Sequence, residues 1–267
     1  MNQLISAIIL GIIEGFTEFL PISSTGHLII ANQWFKLEGQ FSNIFNVVIQ
    51  LGAILSVIIY FRDKLNPFAK NKIAGQKWEI IALWKNTIIG VMPALVLGVI
   101  FGDVIEERLF NPLTVSITLF IGGIVLIWIE NRKKTSRMNA ISDITYKDAF
   151  LIGIFQCLAM IPGTSRSAAT IIGGMLIGSS RKVAAEFSFF LAIPTMFAAS
   201  AYSLLKGGTA LTAQQWQILL AGFVVSFLVA WGVIAVFMNY IRKKDFKLFG
   251  YYRIVLGILV MLLLINQ

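Results

Sequence analysis

The feature that most constrains this chain is a series of apolar runs, each long enough to cross a hydrocarbon core of about 30 Å and each flanked by short clusters of charge. Six such runs occupy roughly 42–61, 84–101, 112–130, 186–205, 214–238 and 248–265. One soluble core could not hide them, because 57% of the 267 residues are hydrophobic and only 13% are charged. Helices close their own backbone hydrogen bonds in lipid, so the expected class is an all-α polytopic membrane protein forming a single membrane domain over 1–267. Met1 to Leu10 lacks the basic flank and cleavage site of a signal peptide and is expected to stay. Cys157, the only cysteine, excludes an internal disulfide and reads as packing.

Two further apolar regions, about 3–31 and 149–180, are broken near their middles by Pro21-Ile22-Ser23-Ser24-Thr25-Gly26 and Pro162-Gly163-Thr164-Ser165-Arg166-Ser167. Proline removes a backbone donor and clashes with the preceding turn, so each region is expected to be two short helices with a bend. Charge decides whether the bends cross. The segments Arg62–Lys85, Arg132–Lys147 and Arg242–Arg253, with Arg181-Lys182, hold 18 of the 22 Lys and Arg residues and are expected on the cytoplasmic side. The loops at 32–41, 102–111 and 206–213 hold only Lys36, Arg108 and Lys206, and are expected outside. The net charge of +9 is thereby explained by topology, with no nucleic acid partner implied. Threading the chain between these faces makes the second broken region a re-entrant hairpin from the cytoplasm and, by similarity, the first a hairpin from the outer face. Kinked full spans are the alternative. Both termini are then outside.

Gly11-Ile12-Ile13-Glu14 with Pro21-Ile22-Ser23-Ser24 recurs, with a one-residue gap, as Gly153-Ile154-Phe155-Gln156 with Pro162-Gly163-Thr164-Ser165. Each half, about 1–132 and 147–267, is one hairpin plus three spans, joined by a basic cytoplasmic loop. Three is odd, so the halves form an inverted-topology repeat, which brings broken helices together near the bilayer midplane.

The hairpins hold the ionisable groups expected at membrane depth: Glu14, Glu18 and the sole histidine, His27, in the first, and Arg166 in the second. Such groups cost several kcal/mol unless paired or hydrated, and mark function by default. Glu14 and Glu18, four apart, share a helix face and need a cation, a shared proton or Arg166 nearby. Ser23-Ser24-Thr25-Gly26 reads as the N-cap and first turn of a helix, an anion cradle of free N–H groups and hydroxyls. His27 is three residues past Ser24, where an imidazole could take the serine proton. Thr164, Ser165 and Ser167 offer a second cradle, with the Arg166 guanidinium added for bidentate phosphate binding. Two cradles at one depth fit a diphosphate. Taken singly, the hydroxyls could instead bond back to their own helices and the carboxylates could be structural.

The run Glu14-Gly15-Phe16-Thr17-Glu18-Phe19-Leu20-Pro21-Ile22-Ser23-Ser24-Thr25-Gly26-His27, with Pro162-Gly163-Thr164-Ser165-Arg166-Ser167, resembles the two signatures of the undecaprenyl-diphosphate phosphatases, also called bacitracin-resistance proteins. Length, span count and loop placement agree along essentially the whole chain; Ala168 departs from the glycine more usual there. The resemblance implies a bacterial inner-membrane enzyme that hydrolyses undecaprenyl diphosphate to undecaprenyl phosphate and inorganic phosphate, recycling the lipid carrier for cell-wall synthesis, with a site open to the outer face. It also implies that Glu14, Glu18, Ser24, His27 and Arg166 are essential and that activity depends on a divalent cation; Glu18 and Glu14 would orient His27 or hold that Mg²⁺ or Ca²⁺. Ser24 is the candidate nucleophile and His27 its base, later the acid or activator of water; Ser23, Thr25, Gly26, Thr164, Ser165 and Ser167 are candidates for binding the phosphates. Attack by water positioned by Glu18 stays open, as does a homodimer. A transporter of an anionic lipid is the main rival; a two-histidine lipid phosphatase mechanism is excluded by the single histidine.

Overall fold

Where each apolar run begins and ends is set by its caps. In the computed structural model, which describes residues 2–37, 39–69, 72–132, 135–207 and 211–264, Asn2 accepts from the Leu4 N–H at 2.9 Å and opens α1 (Gln3–Thr17). Helices α2 (Ser24–Ala31), α3 (Gly39–Tyr60), the short α4 (Arg62–Leu65) and α5 (Ala74–Leu109) follow. Asn111, with Pro112 at the first helical position, starts α6 (Pro112–Asn131). A capping box between Thr145 and Asp148 starts α7 (Tyr146–Cys157). Then come α8 (Arg166–Ile177), α9 (Arg181–Gly207), α10 (Ala213–Ile241) and α11 (Lys247–Leu264). Among the described residues there is no strand.

Five of these helices, α3, α5, α6, α9 and α10, are long and apolar enough to cross a membrane. The expected sixth span corresponds to α11, 18 residues long and carrying Lys247 and Arg253. Many large apolar side chains face outward, Val99, Leu205 and Val236 among them, as lipid-facing surfaces require. The molecule is therefore a multi-pass membrane protein.

Three sequence expectations need correction. Helix α5 runs through the expected outer loop as far as Leu109 and begins ten residues before the expected span. Its 36 residues make about 54 Å of helix, well beyond the hydrocarbon core; Pro93 lies within it without ending it, as membrane helices tolerate. Arg253, counted above as a loop cation, is wholly buried within α11. Finally, the hairpins align without a gap. Ser23 and Ser165, 142 residues apart, are the N-caps of α2 and α8. The same offset relates Gly11 to Gly153, Glu14 to Gln156 and Ser24 to Arg166. Lys70, Lys133 and Lys134 of the basic segments, the side chain of Lys206, and the terminal residues Met1 and 265–267 lie outside the described residues.

Packing follows that offset. Helix α1 packs on α10 as α7 packs on α5, and α3 meets α10 as α9 meets α5. The closest approaches are glycine on backbone: a Cβ on Gly11 would meet the Gly222 carbonyl oxygen at 2.7 Å, and one on Gly153 would strike the Gly90 carbonyl. Ile49 and Leu191, again 142 apart, fill the space over Gly222 and Gly90 respectively. The first bend is fixed by Phe19, fully buried and edge-on to Phe189 of α9 with ring centroids 5.1 Å apart.

Candidate active site

Both hairpin bends end in a serine of positive φ, Ser23 at 72° and Ser165 at 69°. This region disfavours side chains other than glycine's. Each serine offsets the strain by capping the helix it starts: Ser23 Oγ accepts from the Gly26 N–H at 3.2 Å, and Ser165 Oγ from the Ala168 N–H at 3.3 Å. The caps turn the next residue of each loop, Ser24 and Arg166, toward a shared carboxylate.

That carboxylate is Glu18. The hydroxyl of Ser24 donates to Glu18 Oε2 at 2.6 Å, and the Arg166 guanidinium donates to Glu18 Oε1 at 3.1 Å from the other hairpin. All three groups are buried or nearly so; the side chains of Arg166 and Glu18 are 10% and 6% exposed. Arg166 is steadied from behind by a 2.8 Å bond to the Ser188 carbonyl of α9. A hydroxyl bonded to a carboxylate is an activated nucleophile, and a guanidinium one atom further is placed to receive phosphoryl oxygens.

His27 is not turned to Ser24. Its Nδ1 lies 2.7 Å from the Ser23 carbonyl, which can only accept, so in the neutral ring Nδ1 carries the proton. Its Nε2 then accepts from the Tyr252 hydroxyl at 2.7 Å. The sequence reading made His27 the base that takes the Ser24 proton; in the structure the Ser24 hydroxyl donates to Glu18 instead.

The expected phosphate cradles are partly used otherwise. Ser167 is wholly buried and its hydroxyl donates to the Leu20 carbonyl at 2.9 Å, tying hairpin to hairpin. With that proton committed, Ser165 Oγ donates to Ser167 Oγ across 3.0 Å. Thr25 and Thr164 stay half-buried at the edge. Gly26 leaves room for Leu119, which a Cβ would meet at 3.0 Å.

Glu14 is fully buried and, among the described residues, neither of its carboxylate oxygens has a hydrogen-bond partner. Its counterpart 142 residues on, Gln156, is also buried with both side-chain polar atoms unpartnered. An orphaned carboxylate one helical turn from Glu18 has the donor chemistry of a hard cation such as Mg²⁺ or Ca²⁺. No cluster of three or more His, Cys, Asp or Glu side chains that could hold a metal occurs among the described residues. Such a cation would therefore take its remaining ligands from hydroxyls, carbonyls, water and substrate oxygens.

The sequence reading placed α11 as a span but missed its part in the site. Tyr252 supplies the partner of His27, and the next residue, Arg253, bridges the hairpins. Its guanidinium donates to the carbonyls of Pro21 at 3.3 Å and Gly163 at 3.2 Å, and to that of Thr118 at 3.1 Å. Pro21 and Gly163 are themselves 142 residues apart, so one side chain reads the same carbonyl in both loops. Among the described residues no carboxylate pairs with Arg253. The available signal was an arginine set six residues into a helix whose remaining eleven residues are apolar or glycine.

Comparison with known proteins identifies the family. The sequence profile described as Bacitracin resistance protein BacA matches residues 7–259. The chain is 53% identical over 261 residues to Undecaprenyl-diphosphatase 1 of Clostridioides difficile (strain 630), covering 97% of this chain and 95% of that protein. It is 50% identical over 268 residues to the Undecaprenyl-diphosphatase of Limosilactobacillus fermentum, with 97% of each covered. It is 51% identical over 265 residues to that of Desulfitobacterium hafniense, covering 97% of this chain and 95% of the relative.

Proposed function

The chain belongs to the bacitracin resistance protein BacA family, and from that premise we propose that its two hairpins form one phosphatase centre in which Ser24 attacks, Glu18 takes its proton and Arg166 holds the transferring phosphoryl group. The activity is hydrolysis of undecaprenyl diphosphate to undecaprenyl phosphate and inorganic phosphate, which returns the lipid carrier to cell-wall synthesis and underlies bacitracin resistance. The observation that carries the reading is the chain Ser24–Glu18–Arg166, with its 2.6 Å and 3.1 Å links running from one hairpin to the other.

Ser24 Oγ forms a bond to the terminal phosphorus as the bond from that phosphorus to the bridging oxygen breaks; the proton passes to Glu18 and undecaprenyl phosphate leaves. The phosphoryl charge is met by Arg166, and by free N–H groups at the start of α2 and α8. Water then attacks the phosphoserine, regenerating the hydroxyl and releasing inorganic phosphate. His27 is the group that activates that water, the Tyr252 hydroxyl turning off Nε2 so that its lone pair takes the water proton while Glu18 returns its proton to Ser24 Oγ. Glu14 and Glu18 would hold a divalent cation, which supplies charge neutralisation between the carboxylates and the phosphates. Thr25, Thr164 and Gly26 line the phosphate path, whereas Ser23, Ser165 and Ser167 hold the loops in shape. Arg253 is a positioning residue.

The full architecture proposed is six spans and two re-entrant hairpins in inverted-repeat halves, about 1–132 and 147–267. The paired glycine contacts and the constant offset support it. The excess of cations at one end supports an orientation with that end in the cytoplasm, the site opening outward and both termini outside.

The test uses purified protein in detergent with a C55 diphosphate. Wild type releases phosphate with no membrane to cross, which separates an enzyme from a transporter, and acid quenching traps label on Ser24. If Ser24→Ala keeps near-normal turnover, serine is not the nucleophile and water positioned by Glu18 takes its place.

A further inference from the structure

At the basic end of the molecule, far in sequence from either signature, three segments bring cations to one cavity of about 410 Å³: Arg132 after α6, Arg181 and Lys182 at the start of α9, and Arg242 after α10. Charge asymmetry across a bilayer accounts for cations at this end, but not for their convergence without neutralisation. Elsewhere at this end a cation meets its acid: Lys64 pairs with Glu186 at 2.7 Å, and Arg137 pairs with Asp148. The larger neighbouring cavity, about 630 Å³, mixes Asp63, Glu79 and Glu186 with Lys64, Lys72 and Lys182, the last of which lines both cavities.

Among the described residues the only carboxylate in the lining here is Glu130, and it is fully engaged. Arg181 Nε reaches both of its oxygens at 2.9 Å, and the Phe246 N–H donates to Oε1 at 2.9 Å. That leaves Arg132, Lys182 and Arg242 facing the cavity with no carboxylate partner among the described residues, all three exposed. The Arg132 guanidinium stacks over Trp128, 4.9 Å from the ring, a contact that orients the charge without cancelling it. Hydroxyls of Thr135 and Ser180 add donors, that of Ser180 only accepting from the Val183 N–H, while Ile129, Met175 and Ile241 make the rest of the lining apolar. Trp128 is 52% exposed on the outer face of α6, as aromatic residues are at a membrane–water boundary.

We infer that this cavity binds the phosphate headgroup of an anionic phospholipid in the adjoining leaflet. Cations and hydroxyls meet the phosphodiester, the apolar wall meets the glycerol and first acyl carbons, and basic pockets between membrane helices recognise such lipids. The apolar wall is what selects a lipid over free phosphate. The inference goes beyond the phosphatase reading and uses none of its residues.

The test is the thermal unfolding midpoint of the purified full chain in mixed micelles containing phosphatidylglycerol, phosphatidylcholine, or no lipid with millimolar inorganic phosphate. Phosphatidylglycerol at tenfold its dissociation constant raises the midpoint by roughly 3–5 °C over phosphatidylcholine, and Lys182→Gln and Arg242→Gln each remove half of the gain or more. Both side chains are exposed, so both variants fold and keep wild-type phosphate release in neutral detergent, which separates this result from any failure of the catalytic assignment. Equal midpoints in the two lipids, or a gain that survives both substitutions, overturn the proposal. A gain reproduced by inorganic phosphate alone overturns the lipid assignment.

Discussion

Replacing Arg253 with methionine separates stability from catalysis. Three hydrogen bonds from a charged donor at 3.1–3.3 Å are lost; at the weak end of about 1.5 kcal/mol each, that is roughly 4–5 kcal/mol in gross terms. Against it stands the cost of burying a guanidinium with no carboxylate in contact, itself several kcal/mol, which methionine does not incur. The two nearly cancel, so unfolding free energy is expected to change by about 2 kcal/mol or less, a shift in Tm of roughly 5 °C at most. Activity has no such compensation. Pro21 and Gly163 each lie three residues before a group given a role in the proposed reaction, Ser24 and Arg166, and the shared clamp fixes how those groups face each other. A displacement of about 1 Å costs on the order of 10²-fold in rate, close to 2.7 kcal/mol of transition-state stabilisation. Arg253→Lys keeps one point of charge but cannot fork to two carbonyls, and is expected to fall about 10-fold. The assay is kcat/KM for phosphate release from a polyprenyl diphosphate, normalised to folded protein and read beside Tm. If Arg253→Met stays within threefold of wild type, or loses activity only in step with folded protein, the clamp is packing alone.

Tyr252→Phe removes the donor to His27 Nε2 while the Ser23 carbonyl still fixes the ring; steady-state kinetics should show a fall of about 3- to 10-fold with Tm unchanged within about 1 °C, and a loss as large as that of His27→Ala would mean that Tyr252 itself takes part in chemistry. Gly153→Ala drives a methyl into the Gly90 backbone, and Gly11→Ala does the same against Gly222; each should cost roughly 1–3 kcal/mol, seen as a lower Tm, and a tolerated pair would deny the close helix contact. In the connecting loop, N–H bonds from Ala140 and Asn139 hold the Asp143 carboxyl below its ordinary pKa. A depressed folded value means that its contribution is present above the unfolded pKa and is lost as pH falls through the folded one. Asp143→Asn should therefore speed amide exchange at Asn139 and Ala140 near neutrality, and the difference from wild type should vanish in acid.

The bends were legible because proline and hydroxyl runs interrupt apolar helices in only a few ways, and Glu14, Glu18, Ser24 and Arg166 stood out as charge or nucleophile at membrane depth. The partner of Ser24 was not legible. Spacing put His27 and Ser24 on one helical face, but the positive φ at Ser23 turns the loop back so that a residue six positions earlier receives the hydroxyl. The same φ explains the misjudged gap: the prolines Pro21 and Pro162 are not equivalent, whereas the strained serines are. Arg253 was hidden by its neighbours, since five cations within twelve residues read as a loop until α11 draws the last of them inside. The length of α5 escaped because hydropathy marks the part of a helix that lipid covers, not where its hydrogen bonds stop.

The shared offset puts Ser24 and Arg166 at one and the same address on two copies of a loop, as it does Glu18 with Met160 and His27 with Ala169. On the proposed mechanism the reaction divides its labour between twins: one copy donates the attacker and the other the electrostatic grip. On the proposed inverted arrangement the two backbones are equivalent from either leaflet, and the side to which a lipid must present its diphosphate is written in which twin received which side chain and in the cations that orient the whole.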